Sequence, residues 1–574
     1  MEGGKPMKMI LLTAINAKYI HSNLAVYSLK AYAQSCYDEQ SCYDAQIEIA
    51  EYTINQQVED IMMDLYKKKP DMLCFSCYIW NITYVEELIR EIAKVLPETE
   101  IWVGGPEVSY DAKKFLEKFP EVTGVMKGEG EETFAELLKT HDLAAIKGIT
   151  YREKEKIVEN PWREVMDLNK VPFVYQDMTN FANKIIYYES SRGCPFSCSY
   201  CLSSVDKKLR FRDTELVKKE LQFFIDNEVP QVKFVDRTFN CSHKHAMEIW
   251  RYISEHDKGI TNFHFEVSAD LLNKEEIAFI QTMRPGLIQL EIGVQSTNPE
   301  TIREIRRTMK FEKLAEIVKE IKKPGNIHQH LDLIAGLPFE NLDSFKKSFD
   351  DVYELRPEQL QLGFLKVLKG SLMEQNQKQY ELVFRDKPPY EVLSTKWLPY
   401  EDVLLLKGVE EMVEVYYNTN QFTHTLAELE REFESYFELF QKLAEYYEKQ
   451  GFDKVSHARA ARYEILLGFV KENIPEKTEF YRELLTYDYY LRENAKNRPA
   501  FAGEYKMDKE VLRMFYEAEA KERKYLQGYE CYDKNQMRKM THLEHFVSLD
   551  KTVLYDYMHR SPLTKEAGVK FVNL

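Results

Sequence analysis

The chain has 574 residues, too many for one ordinary domain, and its 44% hydrophobic content is enough for several buried cores, which excludes a disordered or fibrous protein. Its 78 basic and 94 acidic residues give a net charge of −16, which argues against a protein that coats nucleic acid. No apolar run approaches the ~20 residues that span a bilayer, and residues 1–12 lack the pattern of a signal peptide. Nine cysteines are too few for a disulfide scaffold, so we expect a cytoplasmic protein whose thiols serve metal or redox chemistry.

Residues 1–145 alternate apolar strands with amphipathic helices, which predicts a doubly wound, flavodoxin-like (Rossmann-like) parallel sheet in an α/β fold. The predicted strands are 9–15, 47–52, 72–76, 101–103 and 122–126, and the predicted helices are 22–34, 58–65, 85–96, 112–119 and 133–139. Such sheets bind ligands at the carboxyl ends of their strands. Here these ends carry two glycine-containing segments, Gly104-Gly105-Pro106-Glu107 and Gly128-Glu129-Gly130-Glu131. Neither is a G-x-G-x-x-G dinucleotide fingerprint, which argues against a nicotinamide site.

Residues 146–184 lose this alternation and contain Pro161 and Pro172, so we predict a linker. The alternation returns over 185–372, with strands predicted at 185–189, 232–236, 263–268, 287–293, 330–335 and 360–365, and helices at 216–226, 246–256, 274–283, 313–321 and 345–353. Six βα units are too few for a closed eight-unit barrel, so we predict a partial (β/α)6 barrel. Over 373–574 the strand signal fades, and helical spacing at 403–413 and 426–447 predicts a mostly α-helical C-terminal domain.

Three cysteines, Cys194, Cys198 and Cys201, are spaced C-x3-C-x2-C in a loop rich in Gly, Pro and Ser, directly after the first predicted barrel strand. Thiolates are the usual ligands of iron–sulfur clusters, and an irregular loop allows three of them to converge. Three ligands leave one iron of a four-iron cluster open to a substrate or cofactor. The alternatives are plain reduced cysteines or a zinc site short of one ligand. Zinc sites usually have paired C-x2-C units or nearby histidines, whereas His243 and His245 lie beyond another strand.

With Tyr200 before its last cysteine, this motif resembles that of the radical S-adenosylmethionine (radical SAM) enzymes, over about residues 185–370. The resemblance implies a 4Fe-4S cluster on the three cysteines, SAM on its fourth iron, and a 5′-deoxyadenosyl radical formed by reductive cleavage of SAM. It also implies a set of residues that contact SAM, mostly at strand ends. Each of these positions, taken alone, is explained equally well as the end of a strand followed by a helix cap. These are Tyr200, Asp236, Arg237, Glu266, Ser268, Gln295, Gly336 and Pro338. Where the family usually has a Gly-Gly-Glu-like segment this chain has Val235-Asp236-Arg237-Thr238, so we expect Asp236 to hold the SAM amino group.

An α/β domain upstream of such a motif resembles the cobalamin-binding domain of the cobalamin-dependent radical SAM enzymes. The resemblance implies that loops after the strands enclose cobalamin through Asn16, His21, Ser22, Ser76, Tyr78, Trp80, Asn81, Gly104, Gly105, Pro106, Glu107, Gly128, Glu129 and Glu131. The D-x-H-x-x-G signature of a histidine ligand is missing, so we expect no protein histidine on the cobalt and expect Tyr78 and Trp80 to pack on the lower face of the corrin. The alternative is a flavodoxin-like module that binds nothing, or binds a substrate.

The resemblance implies an enzyme that cleaves SAM reductively and uses cobalamin to methylate or rearrange an unactivated carbon of a small-molecule or peptide substrate, with an external electron donor such as flavodoxin or ferredoxin. A second hypothesis is a tRNA methylthiotransferase-like enzyme, which needs a second three-cysteine cluster that Cys36, Cys42, Cys74 and Cys77 do not clearly supply. A third is a non-enzymatic iron–sulfur and cobalamin sensor or electron carrier. No catalytic side chain is predicted, and Cys241 remains open as a hydrogen-atom donor or a buried spectator.

Overall fold

The computed structural model describes residues 8–36, 45–140, 142–205, 207–505, 507–561 and 564–573. The chain forms two compact units. The first unit comprises Met1–Ile327, Gly336–Asn341 and Phe364–Pro399, and the second comprises His328–Ala335, Leu342–Gly363 and Tyr400–Leu574. The predicted cofactor residues all belong to the first unit.

The N-terminal part of the first unit is a seven-stranded sheet with strand order β2-β1-β3-β4-β5-β6-β7. Strands β1 to β5 are parallel, as predicted, and their order is that of flavodoxin-like folds. The elements are β1 (Lys8–Asn16), α1 (Leu24–Ser35), β2 (Ala45–Thr53), α2 (Val58–Lys68), β3 (Met72–Ser76), α3 (Ile82–Val95), β4 (Glu100–Gly104), α4 (Pro106–Ser109), α5 (Ala112–Lys118), β5 (Gly124–Met126), α6 (Glu131–Lys139), β6 (Ile149–Glu153) and β7 (Lys156–Glu159).

Both faces of this sheet are buried, which explains why its strands are almost continuously apolar. Side chains alternate between two cores, so that Leu11 and Leu73 pack on one face while Leu12 and Cys74 pack on the other. Because β1 pairs with both β2 and β3, the strand order reverses beside β1. A crevice at such a reversal, outside the carboxyl ends of the strands, is the usual ligand position in this fold.

The predicted linker contains secondary structure that the sequence analysis missed. Strands β6 and β7 form an antiparallel hairpin that extends the sheet beyond β5. Ile149 and Tyr151 bury their side chains in the core, and the two prolines that suggested a linker lie after the hairpin. The N-terminal sheet therefore extends to Glu159 rather than ending near residue 145.

The central part alternates strands and helices six times along the chain, as predicted, and β8, β11, β12 and β13 are neighbours in one parallel sheet. A short antiparallel pair, β9 and β10, brackets the cysteine loop. The elements are β8 (Ile186–Tyr188), β9 (Ser191–Arg192), β10 (Arg210–Phe211), α7 (Thr214–Asp226), β11 (Gln231–Phe234), α8 (His243–Glu255), β12 (Asn262–Val267), α9 (Lys274–Ile280), β13 (Ile288–Gln295), α10 (Pro299–Glu304), α11 (Phe311–Lys322), β14 (His328–Ala335), α12 (Leu342–Tyr353), β15 (Gln359–Phe364), α13 (Leu372–Gln375), β16 (Val383–Phe384) and β17 (Val392–Ser394).

The C-terminal region is mostly helical, as predicted, but it ends in a three-stranded antiparallel sheet that the sequence analysis missed. The predicted helix over 426–447 is two helices, the second of which begins after the Ser435 side chain caps it. The elements are α14 (Tyr400–Met412), α15 (Thr423–Leu429), α16 (Tyr436–Gln450), α17 (Arg459–Asn473), α18 (Thr478–Arg492), α19 (Lys509–Glu522), α20 (Lys534–Met540), β18 (Thr541–Phe546), β19 (Lys551–Asp556) and β20 (Gly568–Phe571). Within the described ranges, no helix has both the length and the apolar character needed to cross a membrane.

Candidate cofactor sites

The three motif cysteines lie on the loop between β9 and β10. Pairing of Arg192 with Arg210 and of Ser191 with Phe211 closes the base of this loop. Gly193 has φ +90°, and a Cβ atom there would lie 2.6 Å from the carbonyl oxygen of Lys208, so only glycine fits. Cys194 and Cys198 are buried, and Cys201 is half-buried.

The thiols of this loop have a cationic neighbour that the sequence analysis did not predict. Burial raises the pKa of Cys198, and the guanidinium of Arg307 acts in the opposite direction. Arg307 also donates from Nη1 to the Tyr200 hydroxyl at 3.3 Å and from Nη2 to the carbonyl oxygen of Gly293. A positive charge beside converging thiols stabilises their ionised form. Three thiols with this environment fit a four-iron cluster that has one iron without a protein ligand.

Two predicted SAM contacts, Arg237 and Glu266, line a cavity of about 670 Å³ in the first unit. Asp236 is fully buried, and its carboxylate accepts hydrogen bonds from the Ser190 backbone N–H at 3.0 Å, the Ser190 hydroxyl at 2.7 Å and the Ser191 hydroxyl at 2.5 Å. Burial raises the pKa of Asp236 to about 6. Its carboxylate thus braces the start of the cysteine loop, and it is not among the side chains that line this cavity.

The remaining predicted SAM contacts lie at the ends of three strands and in the cysteine loop. The Ser268 hydroxyl donates to Asp270 at 2.8 Å. Gln295 ends β13 with φ +73°, an uncommon value for a residue with a side chain. Its Oε1 atom is buried and has no hydrogen-bond partner among the described residues. Gly336 (φ +88°) and Pro338 are buried in the turn after β14. A buried acceptor without a donor at a strand end is what a bound polar ligand would satisfy.

The 670 Å³ cavity also receives most of the predicted cobalamin contacts. Its wall includes residues from the loops after β1, β3 and β5, namely Asn16, His21, Ser22, Tyr78, Trp80, Gly128, Glu129 and Glu131, together with Pro106 after β4. Tyr78 and Trp80 stack with ring centroids 4.4 Å apart and an interplanar angle of 8°. The Trp80 indole N–H donates to the carbonyl oxygen of Ile15 at 3.1 Å, which fixes the orientation of the ring. Trp80 nevertheless remains 41% exposed, so an apolar face is open to a ligand.

A second cavity of about 270 Å³ lies at the carboxyl edge of the N-terminal sheet and is lined by Ser76, Gly104 and Gly105. Gly105 has φ +117°, and a Cβ atom there would lie 2.4 Å from the carbonyl oxygen of Cys77. The glycines keep the backbone accessible at this edge, which fits the tail of a large cofactor. Two predicted contacts do not line either cavity. Asn81 donates to the carbonyl oxygens of Ile15 and Ser76, and Glu107 accepts from the Tyr390 hydroxyl at 2.7 Å.

Arg192, another residue to which the sequence analysis gave no role, joins the two parts of the first unit. Its guanidinium contacts Glu131 Oε1 at 2.8 Å and Glu189 Oε2 at 2.8 Å, and it lies 3.5 Å from Glu129. Arg210 binds Glu129 at 2.7 Å. Although burial opposes ionisation, Arg192 holds the pKa of Glu131 below its usual value. Glu129 and Glu131, two of the three carboxylates predicted to touch cobalamin, are therefore engaged by arginines of the cysteine loop.

The described cysteines outside the motif do not form a second cluster. Cys74 and Cys77 are buried on opposite faces of the N-terminal sheet, and burial raises the pKa of each thiol. Cys36 is half-buried, and Cys42 lies outside the described residues. The methylthiotransferase-like alternative is accordingly not favoured.

Family models match three segments of the chain. The B12 binding domain matches residues 10–138, the radical SAM superfamily matches residues 188–352, and a family described as a protein of unknown function (DUF4080) matches residues 378–561. The first two segments coincide with the N-terminal sheet and with the central βα units. The cofactors associated with these two domains are cobalamin, a 4Fe-4S cluster and SAM.

Similar proteins carry the same two domains. The cobalamin-dependent radical SAM methyltransferase TokK of Streptomyces tokunonensis is 25% identical over 350 residues, which cover 57% of this chain and 50% of that protein. The chain thus spans half the length of this curated relative. The structure of the cobalamin-dependent SAM radical enzyme OxsB with aqua-cobalamin and SAM has a TM-score of 0.59 at 16% identity and covers 84% of this chain and 79% of that chain.

The structure of the radical SAM methyltransferase TsrM of Kitasatospora setae with tryptophan substrate and a SAM analogue has a TM-score of 0.52 at 16% identity, and it covers 66% of this chain and 80% of that chain. At these identities the two structures establish the fold. The two domain matches, the fold and the cysteine motif together show that the chain belongs to the cobalamin-dependent radical SAM enzyme family.

Proposed function

We propose that this protein is a cobalamin-dependent radical SAM methyltransferase that acts on a carbon of a small-molecule substrate. The observation that carries the proposal is one cavity of about 670 Å³ whose wall combines the predicted cobalamin contacts Tyr78 and Trp80 with the predicted SAM contacts Arg237 and Glu266. A shared cavity brings two cofactors to one substrate, which is the positioning that a two-cofactor reaction needs. TokK and TsrM are both methyltransferases, and TsrM has been seen with tryptophan.

In this proposal the cluster, SAM and cobalamin supply radical and methyl-transfer chemistry when bound, and the chain's residues hold and orient them. Cys194, Cys198 and Cys201 hold the cluster, and Arg307 compensates the negative charge of the thiolates. Gln295 accepts a hydrogen bond from SAM at the end of β13. Tyr78 and Trp80 present an apolar face to the corrin. The same proposal includes an external electron donor, such as flavodoxin or ferredoxin, as the family implies. It also includes a location in the reducing cytoplasm.

The test is anaerobic reconstitution of the full chain with iron, sulfide and hydroxocobalamin, followed by incubation with SAM and a reductant. We expect 5′-deoxyadenosine and S-adenosylhomocysteine, with the second product dependent on hydroxocobalamin. The Cys198→Ser variant should lose most of its iron and both products, because two thiolates remain for the cluster. Cys531→Ser is the matched control, since Cys531 is an exposed thiol of the second unit.

Deoxyadenosine without any cobalamin-dependent S-adenosylhomocysteine would favour a rearrangement over methylation and would contradict the methyltransferase proposal. Neither product from protein with a full complement of iron would instead support the sensor hypothesis.

A further inference from the structure

Three hydrogen-bonding side chains, one of which is the predicted cobalamin contact His21, meet on one wall of the 670 Å³ cavity. Tyr187 on β8 and Lys233 on β11 are register partners in neighbouring parallel strands. His21, from the loop after β1, lies with its Nδ1 atom 2.6 Å from the Tyr187 hydroxyl. All three residues line the cavity. The backbone N–H of Ile185 donates to the carbonyl oxygen of Ile20 at 2.8 Å, which fixes the His21 loop to this edge of the barrel.

This wall lies deeper than the predicted SAM contacts. Lys233 lies on β11 itself, one residue before this strand ends at Phe234, whereas Arg237 lies in the following loop, three residues past that end. A ligand group that reaches Lys233 therefore extends into the barrel beyond the level of Arg237.

The ammonium group of Lys233 is held in place and retains binding capacity. Glu291 Oε2 lies 3.0 Å from Lys233 Nζ and 2.9 Å from His264 Nε2. Burial opposes ionisation of Glu291, but the hydrogen bond from His264 and the charge of Lys233 lower its pKa to about 2. Among the described residues, Glu291 is the sole ion-pair partner of Lys233. An ammonium group has three N–H donors, so two remain for a ligand.

The neighbouring groups favour an anion at this position. Burial and the charges of Lys18 and Lys233 lower the pKa of His21, which keeps its ring neutral and able to share a proton with Tyr187. Four acidic residues lie elsewhere on the cavity wall. Glu129, Glu131 and Glu189 are engaged by Arg192 and Arg210, and Glu266 is a predicted SAM contact. Lys233 is thus a cation that faces the cavity beside two neutral hydrogen-bonding groups, the combination that binds a carboxylate.

We propose that Lys233, His21 and Tyr187 bind a carboxylate group of the small-molecule substrate. This assignment rests on the proposed function and specifies the substrate class as a small molecule with a carboxylate. The carboxylate of SAM and the phosphate of cobalamin are also anions. The experiment therefore distinguishes binding of these cofactor groups from binding of a substrate carboxylate.

The test measures binding of benzoate and of its neutral analogue benzamide to reconstituted protein loaded with cobalamin and SAM, by saturation-transfer NMR. We expect benzoate to bind the parent more tightly than benzamide by roughly tenfold, as one charge-assisted hydrogen bond supplies. Lys233→Gln should abolish this preference. Lys244→Gln makes the same change at a lysine whose side chain is 87% exposed and should preserve it.

Two further variants distinguish a loss of benzoate binding from misfolding of the protein. Lys233→Gln combined with Glu291→Gln removes both charges of the pair, and Tyr187→Phe removes one donor with little change in shape. Both should weaken benzoate binding while the affinity for SAM and the retained cobalamin stay at the parent level.

Equal binding of benzoate and benzamide by the parent would overturn the inference. A tenfold loss of SAM affinity or of cobalamin in the Lys233 variants would also overturn it, because the lysine would then hold a cofactor. Failure of the proposed function is a separate result, since a parent that releases no deoxyadenosine can still discriminate the two probes.

Discussion

Replacing Arg192 by Met tests whether this side chain joins the cobalamin-binding part of the chain to the cysteine loop. Arg192 is 19% exposed and its guanidinium lies 2.8 Å from both Glu131 and Glu189. Methionine keeps an unbranched stem of similar length and removes the charge. Removing one partner of a largely buried ion pair typically costs about 3–5 kcal/mol, because the other charge is left uncompensated. We expect Arg192→Met to lower the free energy of unfolding of the reconstituted protein by about that amount.

The pH dependence of this loss follows from the carboxylates that remain. In the parent, Arg192 lowers the pKa of Glu131, so the stability that this carboxylate contributes is present above its unfolded pKa and is lost as the pH falls through the lower folded value. Without Arg192, burial is opposed only by the backbone hydrogen bond to Glu131 and the charge of Arg210, so we expect the pKa of Glu131 to rise. As the pH rises, Glu131 then loses its proton at a lower pH in the unfolded variant than in the folded variant. The difference in the free energy of unfolding between the parent and Arg192→Met therefore grows as the pH rises from 5 to 8.

Urea denaturation followed by circular dichroism at pH 5, 6.5 and 8 measures both quantities. Arg303→Met is the matched control, since Arg303 is 77% exposed and 3.9 Å from its partner Glu300, and its loss should cost less than about 1 kcal/mol. An Arg192→Met deficit no larger than that of the control, or one that shrinks toward pH 8, would refute the reasoning.

Two further changes test other parts of the site. Gly105→Ala should reduce cobalamin retention after gel filtration by at least roughly tenfold, because its Cβ atom would lie 2.4 Å from the Cys77 carbonyl oxygen. Gly259→Ala is the control. Its φ of +82° is also strained for alanine, but there is open space around it, so this variant should retain cobalamin. Burial lowers the pKa of His245 to about 4, so His245 takes up a proton at a higher pH in the unfolded state than in the folded state. The free energy of unfolding of the parent should therefore fall by about 2 kcal/mol between pH 7 and pH 5. Urea titrations should show that His245→Phe removes this pH dependence, and an unchanged pH dependence would contradict the prediction.

The fold was predictable wherever hydrophobic periodicity was strong. Strand β3 was predicted at the observed bounds, 72–76, because a continuous apolar run between polar segments has one clear interpretation. The β6–β7 hairpin was missed because its outer strand is only partly buried and carries charged residues at both ends, so neither face shows a clear alternation. The C-terminal sheet was missed because His542, Glu544 and His545 interrupt the apolar pattern of β18.

The candidate site was predictable only where a motif marks it. The cysteine spacing and the glycines after β4 and β5 identified three loops. Arg192 lies two residues before the first motif cysteine, but no sequence pattern pairs it with Glu131, which is distant in the chain, or with Glu189, which directly follows β8, so the charge cluster emerges only when the loops meet. Lys233 and Tyr187 lie in two short strands without a motif, and their pairing depends on strand register. The predictions for Asp236, Asn81 and Glu107 named positions close to the site. The sequence does not reveal that these three side chains form hydrogen bonds with other residues of the chain.

Magnetic coupling between the two metal centres tests most directly whether cobalamin and the cluster share one cavity. The reconstituted protein, without SAM, is reduced until the cluster and the cobalt each carry one unpaired electron, and its electron paramagnetic resonance spectrum is recorded beside that of Cys198→Ser. The shared cavity predicts a cobalt signal broadened or split in the parent and sharp in the variant. A cobalt signal identical in the two proteins, with the parent cluster fully reduced, would show that the cofactors lie in separate sites.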